Sequence, residues 1–237
     1  MQVVILAGGF AKRMWPLTLE RPKPLLPVSG KPILEWILER FAEAGLEDIL
    51  ITTNSRFEQV FREWSEERAL RLWIEPSQRE EEKLGSIGAM ERLSSQLKDD
   101  VLVVAGDNLF DFSLRPFLEF FKQKRKILVG FYDYPEESHL SQYGIGELDE
   151  QGRLVAFEEK PERPKSRLVS TGIYAFPKEK LGLFSAYIRE GNNPDAFGYF
   201  IKWLLGKEEV YGWVFRGRWF DIGSLAVYEK LRDGWKG

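Results

Sequence analysis

The sequence has no cysteine and only one histidine, His139, among its 237 residues. The lack of cysteine excludes disulfides, thiolate metal sites and a cysteine nucleophile, and a single histidine argues against a histidine metal cage or a Ser-His-Asp triad. No stretch reaches the roughly 18 uncharged apolar residues of a membrane helix, and the chain begins without a charged and apolar leader. We therefore expect a cytoplasmic protein with no membrane partner.

What the sequence does contain is the composition of a folded α/β protein. It is 43% hydrophobic and 30% charged, a composition that suits a single domain with a large core. Its net charge of -3 gives no sign of a nucleic acid polymer as partner. Strand-like and helix-like segments alternate, and no linker or repeat divides them. The pattern predicts one domain over residues 1–237, with helices on both faces of a sheet.

The stretch from Leu6 to Pro27 joins a predicted buried strand to a loop rich in glycine, proline and basic residues. Gly8 and Gly9 let the backbone turn sharply and direct N–H groups towards an anion. Between positions 12 and 31 there is one acidic residue, Glu20, against five basic ones: Lys12, Arg13, Arg21, Lys23 and Lys31. This local positive charge in an acidic protein indicates a phosphate-binding loop, although a Gly-Gly pair after a strand is also common in loops without function.

The order strand, Gly-Gly, Arg, Pro-Leu-Thr, Pro-Lys-Pro-Leu-Leu-Pro-Val and Lys-Pro-Ile resembles the signature of the sugar-1-phosphate nucleotidylyltransferases. The resemblance implies a three-layer Rossmann-like fold, also described as glycosyltransferase-A-like, with a mixed, mostly parallel central sheet. It also implies a nucleotide-binding half at 1–112 and a sugar-phosphate-binding half at 113–237. The sequence departs from the family at Ala11 and Lys12, where glycine and threonine are common. In this family, Leu6, Gly8 and Gly9 would contact the nucleotide, while Arg13 and Lys23 would bind its phosphates.

The segment Arg79–Ala89 resembles the part of the family that reads the base, and Glu80 is the candidate for that contact. A carboxylate only accepts hydrogen bonds, which suits guanine, whereas a glutamine would suit uracil or thymine. Alternatively, backbone groups near Gly85 and Gly88 read a pyrimidine while Glu80 faces water. The sequence Gly-Asp-Asn-Leu-Phe at 106–110 instead resembles that of the thymidylyl and uridylyl branches of the family.

Two aspartates are candidate metal ligands. Asp107 follows the buried run Val101–Ala105, and Asp221 follows apolar residues before a Gly-Ser helix start, where it could instead cap the helix. A carboxylate at the end of a strand suits Mg²⁺, which binds few protein oxygens and fills its shell with phosphates and water. We therefore expect both aspartates to bind one Mg²⁺ ion.

The second half carries the segments Gln142-Tyr143-Gly144, Glu158-Glu159-Lys160-Pro161 and Ser170 to Tyr174 in the family's order. Taken singly, each is an ordinary surface or core sequence. By resemblance, Glu159 binds sugar hydroxyls and Lys160 binds the sugar phosphate. The remaining residues assigned to the sugar pocket are Asn108, Gly144, Thr171, Gly172 and Tyr174.

These resemblances imply transfer of a nucleotidyl group from a nucleoside triphosphate, dTTP or UTP, to a hexose-1-phosphate such as glucose-1-phosphate. Arg13, Lys23 and Lys160 are the predicted catalytic residues, and Mg²⁺ is the predicted cofactor. The alternatives are a guanylyltransferase acting on mannose- or heptose-1-phosphate, a glycosyltransferase, and a sensor that binds nucleotide sugars without turnover. We expect a monomer or a small homo-oligomer.

Overall fold

The computed structural model describes residues 1–68 and 70–237. These residues form two compact units. The first comprises residues 1–85, 104–113 and 217–237, and the second comprises 86–103 and 114–216. In the described part of the chain, no helix combines the length and the apolar character needed to cross a bilayer.

The described residues form thirteen strands and seven α-helices. The strands are β1 Gln2–Leu6, β2 Pro27–Val28, β3 Lys31–Pro32, β4 Ile49–Asn54, β5 Arg71–Glu75, β6 Val101–Ala105, β7 Asn108–Phe110, β8 Ile127–Asp133, β9 Gly144–Leu148, β10 Leu154–Glu159, β11 Leu168–Phe176, β12 Val210–Phe215 and β13 Trp219–Asp221. The helices are α1 Ile33–Ala44, α2 Glu58–Ser65, α3 Gly85–Ser94, α4 Arg115–Lys124, α5 Gly182–Arg189, α6 Phe197–Leu204 and α7 Leu225–Arg232.

The first unit is built on parallel strands with helices beside them. β1 pairs with β4, and β4 pairs with β5, both in parallel. Apolar residues recur along one face of α1, where Ile33, Ile37 and Phe41 are buried. Gly45 then ends α1 in the left-handed conformation (φ 72°), as a glycine after a helix commonly does. The short strands β7 and β13 pair antiparallel, with Asp221 opposite Asn108.

The second unit has mainly antiparallel pairing. β9 pairs with β10 and with β11, β11 pairs with β8, and β12 joins β8 in parallel. An aromatic cluster fixes α6, because Phe200 stacks on Phe184 with ring centroids 4.8 Å apart, and Phe197 stacks on Tyr174 at 4.4 Å. Buried ring pairs of this kind add to the free energy of burial. The N-terminal part of α6 is therefore held beside the end of β10, which it contacts.

The predicted fold class, α/β with a mixed sheet and flanking helices, is confirmed. The predicted strand and glycine turn at the start of the chain are present as β1 and the loop that follows. The structure also contains β8 and α5, which the sequence patterns did not predict. The assignment of residues 1–112 and 113–237 to nucleotide and sugar phosphate stays a prediction.

Candidate active site

The end of β1 and the loop after it contain the backbone groups of Leu6, Gly8 and Gly9. Gly8 accepts a hydrogen bond on its carbonyl from Asn54 (2.9 Å), and the Leu6 carbonyl accepts one from the Gly106 N–H (2.9 Å). Gly9 is exposed, with open space where a side chain would lie. The Leu6 and Gly8 carbonyls are therefore occupied by hydrogen bonds, whereas the backbone at Gly9 is accessible to a ligand.

Ala11 adopts a left-handed backbone conformation, with φ 48° and ψ 44°. The buried Thr18 hydroxyl donates a hydrogen bond to the Ala11 carbonyl (2.9 Å), and the Lys12 ammonium lies 2.9 Å from the Glu81 carboxylate. The two departures from the family signature therefore have separate structural consequences. Ala11 is placed where glycine is favoured, and Lys12 joins the loop to the segment around Glu81.

We expect Ala11→Gly to raise the free energy of unfolding, by up to about 1 kcal/mol. A left-handed alanine costs roughly 1–2 kcal/mol, and the greater backbone entropy of glycine offsets part of that gain. The matched control is Ala42→Gly on the exposed face of α1, which should lower the free energy by about 1 kcal/mol. Urea unfolding of both variants measures the difference, and a loss of similar size in both would contradict the left-handed assignment.

The most charged part of the first unit is the pair formed by Lys23 and Asp107. The Lys23 ammonium donates a hydrogen bond to Asp107 Oδ2 at 2.5 Å, and 14% of the Lys23 side chain is exposed. Burial lowers the pKa of Lys23, but the carboxylates of Asp107 and Asp221 outweigh it, so the pKa is raised. Arg13 is near enough to oppose this effect in part. The structure thus brings together Arg13, Lys23, Asp107 and Asp221.

Backbone pairing brings the two aspartates to neighbouring positions. The Ile222 N–H donates to the Asp107 carbonyl (3.2 Å), and Asp221 lies opposite Asn108 in the strand pair. The helix cap at this point is Ser224, whose hydroxyl accepts from the Val227 N–H, so Asp221 is not the cap of α7. Asn108 is buried, and its amide nitrogen lies 3.5 Å from Asp107 Oδ1. Asn108 therefore contacts the aspartate directly.

The donor set fits a magnesium ion shared with a ligand. Mg²⁺ in proteins commonly takes one or two carboxylates and completes its octahedral shell with phosphates and water. Asp107 and Asp221 supply that number of carboxylates, and both act on Lys23. Among the described residues there is no group of three or more histidine, aspartate or glutamate side chains that could hold a metal ion. The arrangement suits an ion that arrives with phosphate groups.

The predicted base-reading residues have partners within the protein. Glu80 forms an ion pair with Lys83, and Gly85 begins α3 with φ 78°. In the second unit, the N–H groups of Ile87 and Gly88 donate to the Pro194 carbonyl at 2.8 and 3.4 Å. The Gly88 N–H is therefore already satisfied, while the Glu80 carboxylate is partly neutralised by a lysine.

In the second unit, the Glu159 carboxylate lies in a space left by two glycines. A Cβ atom built on Gly144 would lie 2.9 Å from Glu159 Oε2, and one built on Gly198 would overlap that oxygen. The Glu159 backbone pairs with Gly144 in the β9–β10 ladder, but its carboxylate accepts no hydrogen bond and forms no salt bridge among the described residues. Burial raises the pKa of Glu159, and the neighbouring Lys160 opposes the shift. The Glu159 carboxylate is therefore a hydrogen-bond acceptor without a partner among the described residues, and it lies next to the backbone of Gly144 and Gly198.

The other predicted sugar-binding residues of the second unit lie in different surroundings. The buried Tyr174 hydroxyl lies 3.1 Å from Ser170 Oγ; burial raises its pKa, and the charge of Glu159 adds to the effect. Thr171 is fully buried and donates to the Gly130 carbonyl (3.0 Å), so its hydroxyl faces the core. Gly172 (φ 72°) lies in the irregular part of β11, and the exposed Lys160 has φ 48°. Gly198 was not predicted, because its role depends on an approach to Glu159 that the sequence pattern does not reveal.

We expect Glu159→Gln to raise the melting temperature at about pH 8, with a gain that shrinks as the pH falls towards 5. The folded protein holds the Glu159 proton more tightly than the unfolded chain does, so ionisation of this group above its unfolded pKa reduces stability. Lys160 is the charged group that acts on it, and it opposes the effect of burial. The control is Glu158→Gln, whose carboxylate is 44% exposed. Equal changes for both variants at every pH would contradict the expectation.

Comparison with known proteins gives the same family as the motifs. The family profile described as Nucleotidyl transferase matches residues 2–234. The bifunctional protein GlmU of Methanocaldococcus jannaschii is 30% identical over 94% of this chain and 51% of its own length. The D-glycero-alpha-D-manno-heptose 1-phosphate guanylyltransferase of Campylobacter jejuni is 28% identical over 96% of this chain and 97% of its own length.

Among solved structures, a Bacillus anthracis protein crystallised with sucrose, whose name assigns it provisionally to the glucose-1-phosphate thymidylyltransferases, shares the fold. Its TM-score is 0.84 at 24% identity, over 100% of this chain and 97% of the other. The chain spans between 51% and 62% of the length of the first three curated relatives it matches. Because the family profile covers nearly all of the sequence, this chain belongs to the nucleotidyl transferase family.

Proposed function

We propose that this protein transfers a nucleotidyl group from a nucleoside triphosphate to a sugar-1-phosphate and releases pyrophosphate. The observation that carries the proposal is the part-buried Lys23, which is held by Asp107 and influenced by Asp221 and Arg13. A part-buried cation that one carboxylate holds, and that a second carboxylate and an exposed arginine influence, suits a polyphosphate that arrives with a divalent metal ion. Family membership and the motif order support the same reaction.

The chemistry requires no general base. A phosphate oxygen of the sugar-1-phosphate, already an anion, forms a bond to the α-phosphorus, and the bond from that phosphorus to the bridging oxygen breaks. Pyrophosphate leaves with the electron pair. Catalysis then consists of aligning the phosphates and neutralising their charge, which explains how a chain with one histidine can perform it.

Each basic residue has a distinct proposed role. Arg13, which is exposed, binds the β- and γ-phosphates, and Lys23 binds the α-phosphate and the incoming phosphate. Lys160 binds the phosphate of the sugar. Asp107 and Asp221 would hold Mg²⁺, which when bound supplies positive charge to the phosphate oxygens. Asn108, as the direct neighbour of Asp107, orients that carboxylate.

The sugar is proposed to bind at Glu159, with Gly144, Gly172 and Tyr174 around it. The unpartnered Glu159 carboxylate accepts hydrogen bonds only, so it suits the hydroxyl donors of a neutral hexose. A hydrogen bond to a buried charge is among the stronger polar contacts. Glucose-1-phosphate is the proposed acceptor, in agreement with the branch that the Gly-Asp-Asn-Leu-Phe segment resembles.

For the base we propose thymine or uracil. Lys83 already pairs with the Glu80 carboxylate, which weakens Glu80 as the acceptor for guanine. A guanylyltransferase acting on mannose- or heptose-1-phosphate is the second candidate, because the relative from Campylobacter jejuni carries a guanylyltransferase name. If GTP is used exclusively, Glu80→Gln should shift the preference towards pyrimidine triphosphates.

A matrix of five nucleoside triphosphates against a panel of sugar-1-phosphates tests the proposal, with pyrophosphate release as the readout. We expect turnover with dTTP or UTP and glucose-1-phosphate. Turnover with GTP and mannose- or heptose-1-phosphate alone would favour the second candidate. Binding of nucleotide sugars without turnover in any combination would favour a sensor.

A further inference from the structure

The first turn of α6 contacts the only predicted sugar-binding carboxylate of the second unit. A Cβ atom built on Gly198 would lie 2.5 Å from the carboxyl carbon of Glu159 and 3.2 Å from its Cβ atom, besides overlapping Oε2. Atoms do not approach so closely without a displacement. Any side chain at position 198 would therefore have to move the Glu159 carboxylate.

The surroundings leave α6 little freedom to move instead. Phe197 and Phe200, on either side of Gly198 in α6, are packed in the aromatic cluster with Tyr174 and Phe184. Phe200 is fully buried, and Gly198 itself is buried. The end of the Glu159 side chain, by contrast, has no hydrogen-bond partner among the described residues and three rotatable bonds. The flexible carboxylate would yield before the packed helix did.

We infer that Gly198 is a positioning residue that fixes the Glu159 carboxylate for the sugar, and so helps to determine which sugar-1-phosphate is accepted. The inference rests on the proposed function, because it takes Glu159 as the group that binds the sugar hydroxyls. The Glu159 carboxylate lies against the backbone of β9 at Gly144 and against the backbone of α6 at Gly198, where neither residue has a side chain. A sugar that carries its own carboxylate would be repelled by this arrangement.

The test is Gly198→Ala, compared with Gly206→Ala, where the added Cβ would meet its nearest atom at an ordinary 3.8 Å. In Gly198→Ala, we expect the KM for the sugar-1-phosphate to rise roughly tenfold or more, the size of one lost hydrogen bond to a charged group. The KM for the triphosphate and the melting temperature should stay close to those of the control. In a Glu159→Ala background, Gly198→Ala should have no further effect on the KM for the sugar-1-phosphate.

A second readout does not depend on activity. Titration of the Glu159 carboxyl by NMR should show its pKa falling towards the ordinary value in Gly198→Ala, because the displaced carboxylate reaches water, but not in Gly206→Ala. An unchanged Glu159 titration, or a KM effect that persists in the Glu159→Ala background, would overturn the inference. If the wild-type protein shows no turnover while the titration shifts as expected, the proposed reaction fails and the positioning of Glu159 by Gly198 stands.

Discussion

Lys23→Ala is expected to lower turnover by roughly 10²-fold or more, because it removes a preorganised charge from the reacting phosphates. The ammonium is held in place by Asp107 and keeps its proton under the combined influence of Asp107 and Asp221. Steady-state pyrophosphate release measures the effect. Since the Asp107 carboxylate is 31% exposed, water can solvate it in the variant, and folding should survive.

The matched control is Lys126→Ala, which removes a more exposed lysine that forms an ion pair with Glu209 in the second unit. Turnover of the control should remain within about twofold of the wild type, since surface ion pairs contribute little. Lys23→Met adds a variant that retains the apolar stem of the side chain without its charge. Near-normal turnover of both Lys23 variants would remove this residue from the mechanism.

Asp107→Asn and Asp221→Asn are each expected to lower turnover by about 10²-fold and to weaken the apparent affinity for Mg²⁺ in the presence of the triphosphate. The amide keeps the shape of the side chain but removes its negative charge. If both carboxylates serve one ion, the double variant should be little worse than either single variant. Mg²⁺ should bind weakly without nucleotide and better with it, because phosphates complete its shell.

Asp233→Asn provides the control, because Asp233 lies exposed at the end of α7, where it pairs with Arg232. This variant should show wild-type turnover and the same dependence on Mg²⁺ concentration. Activity that persists in both Asp107→Asn and Asp221→Asn, or an unchanged Mg²⁺ requirement, would contradict the assignment of these carboxylates to the metal.

Local signals in the sequence were sufficient for many elements of the fold. Gly45 ends α1 because glycine adopts the left-handed conformation at low cost, and the segment Asp149 to Gly152 forms the turn between β9 and β10. The strand β8 was not predicted. Gly130 interrupts its apolar run, and the reason for that glycine is an approach from another strand: a Cβ there would lie 2.6 Å from the Phe215 ring.

For the candidate site, too, the sequence predicted some features and missed others. The order of motifs indicated Lys23, Asp107 and Asp221 together, since each follows a recognisable strand or loop, and the structure brings them into one charged cluster. Sequence alone did not show that the Thr171 hydroxyl faces the core or that Gly198 lies against Glu159. Both facts follow from tertiary packing between segments that are distant in the chain, and local periodicity in the sequence does not reveal such packing.

The most direct measurement of the central claim is the stoichiometry of products from one substrate pair. The purified protein is incubated with Mg²⁺, glucose-1-phosphate and either dTTP or UTP, and pyrophosphate and nucleotide sugar are quantified over time. We predict that the two products form in equal amounts, and that Lys23→Ala slows the formation of both. Failure to form pyrophosphate and nucleotide sugar together, with these or any other triphosphate and sugar-1-phosphate, would contradict it.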